Sequence, residues 1–169
     1  MTSPRVCVVS DTSPLSAMTK VGWLVWLRER WETVIVPDGV WKELIEIGDD
    51  AAWNSLEEAR AAGWLQVTEA PATPPPRECE KLHAGETEAI LLALSRNAEW
   101  LIVDDGDARR VAKELGLRII GVIGMIVWAK RRGKISRALE AIADLRRVAR
   151  FRVSDHIVAA IGRDLGEAE

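Results

Sequence analysis

Short apolar runs rich in β-branched residues recur along the chain, and most are followed by a polar or acidic residue and a stretch with helical spacing. Val6–Ser10, Thr33–Val36, Trp64–Val67, Trp100–Val103 and Arg118–Ile120 are these runs. Val6–Ser10 is continuous rather than alternating, which predicts a parallel strand buried on both faces, and the other runs read as further strands. Between them, apolar positions at intervals of three and four predict helices over Trp23–Trp31, Asp38–Ile47, Asp50–Ala62, Gly85–Asn97 and Asp107–Leu115. Another helix begins in Asp11-Thr12-Ser13-Pro14, with Ser13 as N-cap and Pro14 at the first helical position, and breaks at Val21-Gly22. After the fifth run, Gly121–Arg132 and Ile135–Val148 predict two helices joined by Gly133-Lys134. Arg152–Leu165 predicts a terminal strand fragment and helix. Pro71, Pro74, Pro75 and Pro76 make the segment 70–77 a stiff surface loop rather than a domain boundary.

Strand–helix alternation of this kind predicts an α/β fold: a three-layer α/β/α sandwich with a mostly parallel central sheet. The 169 residues suit one domain spanning 1–169, with a helical C-terminal part from about 121 to 169. In such sheets the first strand often lies beside the fourth, where strand order reverses and ligands bind at the carboxyl ends. That topology brings Asp11 and Asp104 together although 93 positions separate them.

Composition narrows the class. Apolar residues make up 48 % of the chain, enough for a packed core. Cys7 and Cys79 exclude a disulfide framework without excluding one bridge, and Cys7, inside an apolar run, reads as a buried thiol. The first residues, Met1 to Arg5, lead into no signal-peptide core, and no run of about 18 apolar residues would span a membrane. A reducing cytoplasm is the expected location. Of the eight Trp, Trp23, Trp26 and Trp41 fall among Leu and Val, which places most of them in a core or a hydrophobic interface. The net charge of −3 conceals an asymmetry. Residues 109–152 hold 13 Lys or Arg against 3 Asp or Glu, a net of +10, and the rest of the chain carries −13. A metal site beside a polyanion track would produce this, and so would solvated helices with a protein partner on the basic stretch.

The chemistry rests on acids. Asp11 and Asp104 close strands, and Glu43 and Glu86 sit on the intervening helices. No paired histidines, glycine-rich phosphate loop or cysteine cluster accompanies them, and His83 and His156 read as surface or capping residues. Converging carboxylates without a basic partner repel one another, and a hard divalent cation relieves that repulsion. Local alternatives exist for each acid: Asp11 as a turn residue, Glu43 as a solvated helix residue, Glu86 and Glu88 as helix-dipole partners. Asp104, Asp105 and Asp107 together exceed what capping one helix requires. Glu86 or Glu88, and Asp104 or Asp105, remain open as the member of each doublet that faces the cleft. Lys130, Arg131, Arg132 and Lys134 form a dense cluster that reads either as RNA-phosphate contacts or as a helix-end charge.

With these residues identified, the sequence resembles the PIN-domain ribonucleases, and within them the small prokaryotic VapC-like, toxin-like branch. Four segments carry the resemblance: Val8–Leu15, Val36–Leu44, Gly85–Ile90 and Ile102–Arg109, supported by Leu115-Gly116-Leu117, Ile120–Gly124 and Ala129–Gly133. It implies metal-binding catalytic acids at Asp11, Glu43, Glu86 and Asp104. Asp105 or Asp107 would be an additional acid, and Ser13 and Glu88 supporting residues. It also implies Mg²⁺- or Mn²⁺-dependent RNA cleavage, a toxin role with a small antitoxin protein as partner, and a homodimer. Many members have Asp where this chain has Glu, which lengthens the side chain by a methylene. Two rival readings stand beside it. One is phosphoryl transfer through an aspartyl phosphate at Asp11, in the manner of haloacid dehalogenases, although Ser13 occupies the position where that pattern has a second Asp. The other is a non-catalytic PIN-like binding module.

Overall fold

A computed structural model describes residues 6–48 and 50–167. Met1 to Arg5, read above as carrying no leader, lie outside the described residues. Among the described residues five strands form one all-parallel sheet: β1 (Val8–Ser10), β2 (Val34–Pro37), β3 (Leu65–Thr68), β4 (Trp100–Ile102) and β5 (Ile119–Ile120), in the order β3-β2-β1-β4-β5. β1 is central, beside β4, and the strand order reverses between them. The register pairs Val8 with Trp100, Val9 with Leu101 and Ser10 with Ile102. The two strand ends are therefore level, and whatever follows each emerges at the same edge.

Successive strand residues face opposite sides. Val8, Val34, Val36, Ile102 and Ile120 enter one core. Val9, Leu101 and Val103 enter the other, with Ile35 and Ile119 packed against it. Both faces are covered, as continuous apolar strands require. The larger core is closed by α1 (Thr12–Lys20), α2 (Val25–Trp31), α3 (Asp38–Glu46), α4 (Asp50–Ala61), α7 (Val122–Arg131) and α8 (Ala138–Ala149). The smaller is closed by α5 (Ala84–Ser95) and α6 (Gly106–Glu114). α9 (Asp155–Asp164) packs outside α8. Among the described residues no helix is long and apolar enough to cross a membrane. Trp26, Trp31, Trp41 and Trp64 are buried, and Trp23 stacks on Trp26 at 4.7 Å.

Several local expectations change. Asp11, not Ser13, occupies the N-cap of α1, and Pro14 is its third residue. Residues 151–154 form no strand. Instead Ser154 caps α9 by accepting from the Ile157 N–H at 3.3 Å. Cys7 is only half-buried while Cys79 is buried, and both are free thiols.

Candidate active site

The level ends of β1 and β4 deliver two carboxylates to one cleft. Asp11 follows β1 directly, its N–H donates to the Ile102 carbonyl at 3.0 Å, and the residue is 3 % exposed. Although it sits at the N-cap of α1, its side chain makes no capping bond. The carboxylate lines the cleft. Asp104 lies two residues past β4. Its Oδ1 accepts from the Val122 N–H at 3.0 Å, capping α7, while its Oδ2 is buried with no hydrogen-bond partner among the described residues.

Two helices add further acids. Glu43 on α3 accepts from the Thr12 hydroxyl at 2.6 Å. Its carboxyl lies over Gly85, where a Cβ would stand only 2.6 Å from Oε1. Glu86, in the first turn of α5, accepts from the His83 N–H at 3.1 Å. A cleft of about 760 Å³ is lined by Asp11, Glu43, Glu86, Asp104, Asp105 and His83, with Ser13 on its rim.

The doublets separate by geometry. Glu88 points to α3, where the Gly39 N–H donates to it at 3.1 Å, and it does not line the cleft. Asp105 lines the cleft but also caps α6, accepting from the N–H groups of Asp107 and Ala108 at 2.9 and 3.0 Å. Asp107, expected as a possible ligand, is turned to solvent and pairs with Arg110 at 3.5 Å. Two residues past the cap, it does not line the cleft. His83 was read as a surface or capping residue. It stands at the N-cap position of α5 and lines the cleft.

Crowded burial shows in the protonation equilibria. Asp11 is pushed up to about 7, first by burial and then by repulsion from Glu86, Glu43 and Asp104, against one favourable backbone bond from Thr12. Asp104 rises to about 6 through burial, opposed by the Val122 bond and the Arg109 guanidinium. Glu86 is raised by burial, with repulsion from Asp105 and Glu43 adding to it. Among the described residues no ion pair is formed by any of the five cleft carboxylates. Arg109, the cation that bears on Asp104, instead donates to the Val103 carbonyl at 2.9 Å.

The basic cluster proposed for RNA lies elsewhere. α7 begins at the cleft, on Asp104, and its 10 residues carry its other end about 15 Å away. There Lys130 pairs with Glu167 at 3.2 Å, Arg131 with Asp164 at 3.1 Å and Lys134 with Glu29 at 2.5 Å. Neither these three nor Arg132 lines the cleft. α8 runs back, so the turn after it returns to the cleft and brings Arg150, Phe151 and Arg152 to its wall. The sequence held a usable signal: a helical hairpin with a short connection must end near where it began.

The donors suit a hard cation. Every cleft acid offers carboxylate oxygen, the ligand of Mg²⁺ and Mn²⁺ rather than of soft metals. Among the described residues no three His, Cys, Asp or Glu side chains alone enclose an ion. Mg²⁺ ordinarily keeps several waters and takes only a few carboxylates. The partnerless Asp104 Oδ2 and the raised Asp11 are the groups such an ion would satisfy. Gly121 tests this. Its φ of −117° suits any residue, but a Cβ there would overlap Asp104 Oδ1. Gly121→Ala is expected to weaken Mn²⁺ binding at least about tenfold by calorimetry, while loss of the cap costs about 1 kcal/mol of stability.

Comparison with known proteins agrees with this architecture. A family model described as a PIN domain matches residues 7–167. The chain is similar to a solved PilT N-terminus domain protein of the archaeon Sulfolobus solfataricus P2. The two are 24 % identical, over 71 % of this chain and 90 % of that one, with a TM-score of 0.54. It is also similar to a domain of a functionally unknown protein from Methanocaldococcus jannaschii DSM 2661, at 22 % identity over 69 % of this chain and 90 % of that one, TM-score 0.44. No curated protein matches the chain.

Proposed function

The chain belongs to the PIN-domain family, and from that membership we propose that its acidic cleft is the active centre of a divalent-metal-dependent endoribonuclease. One observation carries the reading. Asp11, Glu43, Glu86 and Asp104, drawn from four separate segments, line a single cleft, and among the described residues no cation is ion-paired with any of them. Burying like charges this way is unfavourable unless something positive completes the site.

In this reading Asp11, Glu43, Glu86 and Asp104 hold Mg²⁺ or Mn²⁺, with Asp105 as a further oxygen donor. Such ions, when bound, supply an activated water and offset charge developing on the phosphate. The protein's part is placement. Thr12 fixes the orientation of Glu43 through its 2.6 Å bond. Val122 holds one Asp104 oxygen and leaves the other free for the cleft. The backbone of His83 anchors Glu86. Below about pH 7 Asp11 ionises fully only when the cleft gains positive charge.

The whole chain acts as one domain in this proposal, in the cytoplasm. Its resemblance to toxin-like relatives extends the reading to the toxin half of a toxin–antitoxin pair, inhibited by a small protein partner and working as a homodimer. The chemistry is tested by RNA degradation in Mn²⁺ with and without EDTA, with Asp11→Asn as control. Cleavage that persists in EDTA, or in the Asp11 variant, removes the assignment. The toxin role is tested by induced expression: growth arrest by the wild type but not by Asp11→Asn is the expected result.

A further inference from the structure

The wall of the cleft facing the acids is built from Ala149, Arg150, Phe151 and Arg152. Arg150 is the C-cap of α8 in the left-handed conformation, φ 52° and ψ 33°. Glycine or asparagine is the ordinary occupant of such a position, and a larger side chain there costs about 1 kcal/mol. The turn is nevertheless firmly held. The Phe151 N–H reaches back to the Leu145 carbonyl at 3.4 Å, and its side chain packs against the larger core. Arg146 then ties the following segment by donating to the Val153 carbonyl at 2.6 Å and pairing with Asp155 at 2.8 Å.

Arg150 and Arg152 are both exposed. Among the described residues neither forms an ion pair, although five carboxylates line the same cleft. Had this turn evolved to neutralise the acids, contacts within 4 Å would be expected. Instead a strained backbone presents two uncommitted guanidiniums at the rim. Local strain held in place by its surroundings is characteristic of functional sites. Residues two apart have Cα atoms at most ~7 Å apart, close enough for both guanidiniums to reach neighbouring groups of one ligand. A cleft of about 760 Å³ falls in the size range of small-ligand sites, room for a nucleotide-sized piece of a strand.

Resting on the nuclease reading, we propose that Arg150 and Arg152 are substrate-positioning residues that grip phosphates of a single RNA strand beside the scissile bond. They supply positive charge at the rim, where a phosphate approaching the acids would otherwise be repelled. Guanidinium forks match phosphate oxygens in geometry as well as charge. The stretch 130–134, whose Lys130, Arg131 and Lys134 are already paired with carboxylates, takes no part.

The test is fluorescence anisotropy of a labelled oligouridylate in EDTA, titrated at several salt concentrations. Single-strand binding loses roughly 0.7 from the log–log salt slope for each phosphate contact removed. Arg150→Ala/Arg152→Ala is therefore expected to flatten the slope by about 1.4 and weaken binding about tenfold. Arg150→Lys/Arg152→Lys should recover the slope, since charge is retained. Arg131→Ala/Arg132→Ala should leave it unchanged. Arg150→Gly removes one contact and the strain together, so it should bind more weakly yet melt no lower than wild type. An unchanged slope in the double alanine variant overturns the proposal, as does a slope that lysine fails to restore or that moves only with Arg131 and Arg132. A wild type that shows the full Arg-dependent slope but cuts nothing in Mn²⁺ refutes the nuclease reading while leaving this strand-binding site standing.

Discussion

An Asp11→Asn protein is expected to cut RNA at least about a thousandfold more slowly than wild type, yet to be the more stable of the two when no divalent cation is present. The loss of rate follows from removing one of the charges that would hold the metal at the cleft floor. The gain in stability has a separate cause. Asp11 is 3 % exposed, and burial followed by three neighbouring carboxylates raises it from 3.8 to about 7. In the unfolded chain the group releases its proton near 3.8, whereas in the folded chain it keeps the proton until about 7. Between these values the unfolded state binds fewer protons, so folding stability falls as pH rises and levels off above about 7. Asp104 adds the same trend up to about 6. Asparagine cannot ionise, so the advantage of the variant should be small at pH ~4 and reach roughly 2–4 kcal/mol at pH ~8. Urea unfolding of both proteins in EDTA across that range measures it. A wild-type stability that climbs from pH ~4 to ~7 would contradict the buried, repelling arrangement.

The same linkage governs the metal. An ion that binds only ionised carboxylates displaces protons from Asp11 and Asp104, so its affinity should rise with pH and flatten above about 7. Calorimetry of Mn²⁺ binding in two buffers of different ionisation enthalpy reports the protons released. Near pH ~6 a release of between one and two protons per ion is expected, most of it from Asp11 and the rest from Asp104, and almost none near pH ~8. Stability and function therefore pull in opposite directions at Asp11, the usual tension at a site assembled from like charges.

How far the sequence could take this is best seen residue by residue. The strands were legible because parallel strands buried on both faces tend to be continuous apolar runs, and the expectation that the first lies beside the fourth matches β1 beside β4. That step alone predicted Asp11 and Asp104 at one edge. Glu86 and Glu88 were not separable, since residues two apart on a helix merely point in different directions. Only packing against α3 shows that Glu88 faces Gly39. Asp107 misled because capping is a local bond: Asp105 takes it, and the next acid turns outward to Arg110. The cluster from Lys130 to Lys134 misled for a longer-range reason. Charge density along the chain says nothing of which end of a helix meets the cleft, and α7 meets it with its N-terminus. Arg150 and Arg152 look unremarkable in sequence, yet the returning helix places them at the cleft wall.

Substituting Gly85 by alanine should reduce cleavage about a hundredfold without lowering the melting temperature. Gly85 lies in the first turn of α5, with backbone angles open to any residue, and nothing in its own helix objects to a methyl group. Alanine is in fact the better helix former. The obstacle is Glu43, whose carboxyl carbon and both oxygens would lie 2.6 to 2.9 Å from the new Cβ. A carboxylate on the end of a flexible side chain can retreat cheaply, which is why the fold tolerates the change. In retreating it abandons Thr12 and the cleft, and displacement of about 1 Å at a catalytic group is enough for a loss of this size. Adding Glu43→Asp withdraws the carboxyl by one methylene, making room for the methyl group. The double variant should therefore cut faster than Gly85→Ala alone, although Glu43→Asp by itself slows the wild type. Such a sign reversal is a coupling that independent sites cannot produce. Simple additivity of the two rates would mean that the glycine does not seat the carboxylate.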